Sequence, residues 1–192
     1  MRRLNAEEAN LFLAPLDLKI GGWNEVRDIA ERPSGTSEWI NYPAPEGALA
    51  LYCFSHQILR WLPPGAGWLL QIDNSTWLNQ DEEFLISRLL LGPEGRVLLN
   101  GSRSFLFETS GEDARHELWL LGDLVNLLLL FGHHCEIVSE GGRRGQYLSV
   151  QDGYVYFKSK APVDIASARK MMEELNAEPL RIPCDMIRED YD

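Results

Sequence analysis

The chain has 192 residues, 45% hydrophobic and 24% charged, the proportions of a globular protein that buries its own core rather than of a disordered one. Its net charge of −11 is spread evenly, at −3, −2, −3 and −3 over successive quarters. Nucleic acid and anionic membrane are therefore not expected partners, because phosphate recognition needs clustered Lys and Arg; a basic protein suits this charge better.

In chain order, residues 5–13 read as a short helix ended by Pro15. Asn24 is placed to cap a helix over 25–31, closed by Pro33 and Gly35. Residues 34–47, with Pro43 and Pro45, read as loop, so 1–46 is expected to be a helical and loop segment. From Ala48 the pattern turns to strands: 48–54, a continuation over 56–62 after a bend, a turn at Pro63-Pro64-Gly65, and a strand at 68–72. Residues 81–91 begin acidic, are Leu-rich and end at Gly92-Pro93, as a helix does.

Asn100-Gly101 lies between two β-compatible stretches, 96–99 and 103–108, and marks a hairpin. The stretch 112–132, EDARHELWLLGDLVNLLLLFG, is the central helix, with Ser110 as cap and Gly132 beyond its end. Its apolar side is Leu118, Leu121, Leu124, Val125 and Leu128, and its polar stripe runs through Arg115, Trp119, Asp123 and Asn126. Strands at 135–139 and 145–151 follow, joined by the turn-rich 140–144. Asp152-Gly153 is a type I′ hairpin turn into 154–158. A last helix over 165–175, opened by Pro162 or Asp164 and closed by Asn176, precedes an irregular acidic tail over 177–192.

A strand, acidic turn, Leu-rich helix and strand occur twice, at 69–99 and 106–138, with little identity between the copies. This reads as ordinary alternation rather than duplication. Two-residue hairpin loops imply antiparallel pairing. The expected class is α+β: one domain over 1–192, a mostly antiparallel sheet built from hairpins and packed on the Leu-rich helix.

The odd number of widely spaced cysteines, Cys53, Cys135 and Cys184, points to buried thiols in a reducing compartment. The opening MRRLNAEEANLF has acids where an export signal is apolar. Residues 118–131 are too short, and with Asp123 and Asn126 too polar, to span a membrane. A cytoplasmic protein is expected.

No linear catalytic or nucleotide-binding motif is present, and no catalytic residue, cofactor or metal is assigned. His133-His134-Cys135 offers at most two side chains to one face. Cys135 with His133, or Ser55 with His56, are combinations that any chain of this size allows. The loop EGGRRG at 140–145 has the composition of an anion cradle, although a hairpin loop explains it as well.

Aromatic side chains outside the core pattern are more informative. Trp119 interrupts the polar stripe, either covered by Arg115 or facing a partner. The Asp152-Gly153 hairpin places Tyr147, Tyr154 and Tyr156 on the face opposite Leu148, Val150, Val155 and Phe157, where the last helix covers them or a partner does. Arg115, Trp119, Asp123, Asn126, Tyr147, Tyr154 and Tyr156 are therefore the expected partner-binding residues.

The reading is a non-catalytic acidic binding protein, most concretely a bacterial immunity or antitoxin-like protein that binds a basic toxin domain and blocks it. The competing readings are a small enzyme with a pocket beside the central helix and an accessory subunit of an oligomer.

Overall fold

The computed structural model describes residues 1–21, 28–31, 38–72, 88, 104–109 and 114–177. The hairpin turn at 100–101, the Asn24 and Ser110 caps, Cys184 and the tail beyond Ala177 lie outside them. So does the helix at 81–91, except for helical Arg88.

Strand β1 (Arg2–Leu4) leads into helix α1 (Ala6–Leu13). Asn5 accepts from the amides of Glu7 and Glu8 at 2.9 Å, and Glu8 accepts from the Asn5 amide at 2.8 Å. This reciprocal capping satisfies donors that the first helical turn leaves free, and the Asn5 amide holds the Glu8 carboxyl below its ordinary value. The helix gives way to a 3-10 turn containing Pro15. Strand β2 (Leu18–Gly21) then pairs with β3 (Asp28–Glu31), and β4 (Glu38–Pro43) joins the main sheet.

Two expectations fail here. Residues 28–31 are strand rather than helix, and most of the expected loop at 34–47 that is described is the edge strand β4. β3 gains its hydrogen bonds from the preceding strand β2, and β4 gains them from β9, far along the chain; in both, pairing outweighs weak local propensity.

The opposite error occurs at 48–62. The expected strands are helix α2 (Ala48–Ile58), followed by a 3-10 turn through Trp61. Leu51, Cys53, Phe54, Ser55 and Ile58 are its buried residues, with Leu51, Phe54, Ser55 and Ile58 at helical spacing, a period that a short, almost uniformly apolar run conceals.

Strands β5 (Gly67–Ile72), β6 (Ser104–Glu108), β7 (Cys135–Ser139), β8 (Tyr147–Gln151) and β9 (Tyr154–Ser159) complete a seven-stranded sheet in the order β1-β6-β5-β7-β8-β9-β4. Every pairing is antiparallel, so the α+β class is correct. Asp152 and Gly153 have φ of 53° and 76°, the backbone of a type I′ turn, and Val150 faces Val155 as the two-residue loop requires.

Helices cover one face of the sheet: α2, α3 (Ala114–Leu130) and α4 (Pro162–Ala177). Leu121, Leu124, Val125 and Leu128 of α3 pack with Leu70, Ile72, Phe105, Phe107, Ile137 and Phe157. The helix ends at Gly132, φ 70°, where the amide of His133 reaches Leu128 O at 2.8 Å and that of Gly132 reaches Leu129 O at 3.2 Å, the two bonds of a glycine-terminated helix. On the other face α1 and β2 cover part of the sheet, closing a second core around Leu13, Leu16, Leu18, Leu69 and Val138. No described helix is long and apolar enough to cross a membrane.

Candidate functional site

The register of the last three strands decides which side chains share the second face. Tyr147 pairs with Lys158 and Lys158 with Trp39; Ser149 pairs with Tyr156 and Tyr156 with Asn41; Gln151 pairs with Tyr154 and Tyr154 with Pro43. The alternate residues, Leu148, Val150, Val155 and Phe157, enter the helix-covered core, because successive strand residues point to opposite faces. Helix α4 lies on that core side, burying Ala168 and Met172 there. It therefore does not cover the tyrosines.

Among the described residues the second layer reaches only as far as Tyr147, which is 4% exposed and packed in the core of α1 and β2. Tyr147 is corrected from surface to core. Beyond it the face opens: Trp39 is 60% and Tyr154 41% exposed, and Tyr156 is half-buried. The rings of Trp39 and Tyr156 are 5.9 Å apart. Lys158 Nζ stands 5.0 Å from the Tyr147 ring and 5.8 Å from that of Tyr156, so the cation is held flat along the aromatic surface. The result is a plate of Trp39, Tyr154, Tyr156 and Asn41 with Lys158 set into it. Trp39 escaped sequence reasoning because 34–47 was read as loop. The signal was there in EWINYP, where Ile40 and Tyr42 alternate with Trp39 and Asn41.

The polar stripe of α3 is arranged differently. Arg115 is exposed, but Trp119 and Asp123 turn against α2. The Trp119 ring lies 4.7 Å from that of His56, Tyr52 lies 4.7 Å from it on α2, and His56 Nε2 is 3.1 Å from Asp123 Oδ1. The aromatic partner of Trp119 is thus His56, where the sequence suggested Arg115. Gly122 makes the fit possible: a Cβ there would stand 2.2 Å from His56 Nδ1. One imidazole nitrogen meets the Asp123 carboxylate and the other lies against α3 at Gly122. Asn126, one turn further on, is half-buried.

The remaining chemical candidates are also engaged. The Cys135 thiol is buried, and burial, then the neighbouring Glu136 charge, pushes it well above its ordinary value, the reverse of what a nucleophilic thiolate needs. Ser55 is buried and donates to Tyr52 O at 2.7 Å. In EGGRRG, Gly141 N donates to Ser139 Oγ, Gly142 N to Ser139 O, Arg143 N to Gln146 Oε1 and Gly145 N to Leu16 O. These amides hold the loop and do not point outward together, so an anion cradle is not formed. His134 meets Asp152 at 3.0 Å, while His133 is buried. Among the described residues no three His, Cys, Asp or Glu side chains converge as metal ligands.

Comparison with protein-family models, curated proteins and solved structures found no match to this chain. The functional reading therefore rests on the geometry alone.

Proposed function

We propose that this chain is a non-catalytic binding protein that docks a basic protein partner on the open aromatic face of β9 and β4. In its most concrete form it is an immunity or antitoxin-like inhibitor that seats itself in the basic cleft of a toxin domain. The observation that carries the reading is the plate of Trp39, Tyr154 and Tyr156, left uncovered by both helical layers. Large amphipathic rings held rigidly on a sheet lose little conformational freedom on binding and supply the area typical of hot spots. The net charge of −11 speeds and selects a basic partner without by itself giving affinity.

The test is affinity capture of the partner from the source cell, followed by titration of the purified pair. Trp39→Ala should weaken binding by about 2 kcal/mol, roughly thirty-fold in Kd, while association slows as salt is raised. Unchanged affinity in the variant overturns the assignment of the face. Turnover of a small metabolite by the pure protein overturns the non-catalytic reading.

A further inference from the structure

We infer that β4 binds its partner by strand addition, taking an extended basic segment along its outer edge. This rests on the aromatic face being the docking surface, and it adds the mode of attachment and the chemistry of the occupant. The phase of the ladder carries it. Ala44 N donates to Gly153 O at 2.8 Å, and residues of an antiparallel pair exchange hydrogen bonds at every second position. Tyr42, Ile40 and Glu38, paired with Val155, Phe157 and Ser159, therefore turn their N–H and C=O inward. Trp39 and Asn41 turn theirs outward. The two residues whose side chains lie on the open plate thus also present the free backbone groups of the edge.

The sheet's two edges contrast. The other edge, β1, has three residues, and two are arginines, the short charged form by which proteins block unwanted pairing. The β4 edge runs six residues, carries a mostly exposed Trp at its second position and is closed at its far end by Pro43, which has no N–H to offer. Among the described residues no strand pairs with that outer edge. In an added strand, side chains opposite Trp39 and Asn41 fall on the plate. A net charge of −11 on each copy disfavours β4 of a second molecule as the occupant and favours a segment with Arg or Lys at alternate positions, where a guanidinium stacks on Trp39. Pro43 confines the new pairing to the Trp39 and Asn41 end.

The experiment is amide exchange by NMR on the full chain, with and without a synthetic peptide of alternating Arg and Val about six residues long. In the free protein the Trp39 and Asn41 amides should exchange readily and those of Ile40 and Tyr42 slowly; with peptide, the Trp39 and Asn41 amides should become protected. Asn41→Pro removes an outward N–H without touching the ladder and should weaken peptide binding about tenfold. Should that variant fail to fold, the peptide N-methylated at alternate residues makes the same test on the intact protein and should lose binding. Peptide binding that falls with Trp39→Ala, without amide protection and without sensitivity to Asn41→Pro or to methylation, overturns strand addition and leaves the docking face standing. No binding, or equal binding of a Glu and Val peptide, overturns the basic segment. Protection of Trp39 and Asn41 that rises with protein concentration alone makes the occupant a second copy and overturns the inference.

Discussion

Replacing Gly122 by Ala should destabilise the protein, against the usual effect of that change in a helix. Intrinsic propensity favours Ala over Gly by about 1 kcal/mol in a helix interior. Against it, the new Cβ would lie 2.2 Å from Nδ1 and 2.4 Å from Cε1 of His56, so the ring must leave its place. It cannot swing aside freely, being clamped between Tyr52 and Trp119 and tied to Asp123. Displacing it forfeits two ring contacts of about 0.5–1.5 kcal/mol each and a hydrogen bond of about 1 kcal/mol. Less the propensity gain, the net loss is about 1–3 kcal/mol.

The same substitution in a His56→Ala background meets no ring and should stabilise by up to about 1 kcal/mol. Urea unfolding of the four proteins in this cycle measures the coupling. Equal shifts in both backgrounds would refute the clamp, as would a Gly122→Ala protein more stable than the parent.

Leu121→Ala and Leu124→Ala remove fully buried side chains between the helices and the sheet, and each should cost about 2–5 kcal/mol by urea unfolding. A loss below about 1 kcal/mol would mean that α3 does not fill the core as described. The buried Cys135 thiol keeps its proton when folded and releases it near the ordinary value of 9.0 once unfolded. Its contribution is therefore whole below that pH and declines as pH rises above it. Urea midpoints from pH 8 to pH 10 should fall more steeply in the parent than in Cys135→Ala, and parallel falls would refute the assignment.

Elements whose own residues form a closed local pattern were legible. Pro15 marks the end of the helical stretch over 5–13, Gly132 marks the end of α3, and Asp152-Gly153 determines a turn type and hence the register of β8 and β9. The leucine face of α3 follows from its spacing. The α2 helix was not legible as helix, because its apolar positions run nearly without interruption. The strand β4 was missed since it owes its hydrogen bonds to β9, far along the chain, whereas β3 pairs with the preceding β2 and was hidden by reading Asn24 as a helix cap.

The candidate site divides in the same way. Tyr154 and Tyr156 were placed on one face by turn chemistry alone, whereas Trp39 joined them only through the pairing of β4 with β9. Trp119 and Asp123 were found as a stripe, but nothing local to α3 could say that His56 fills the space above Gly122.

The sequence by itself determined the class, the antiparallel pairing, the buried face of the central helix and the alternation of the final hairpin, since each depends on neighbours within a few positions. Only the tertiary structure decided which tyrosine is core, which edge of the sheet is open and which aromatic residues meet. Those outcomes depend on where α1, α2 and α4 dock, and docking is set by the summed burial of surfaces that lie far apart along the chain.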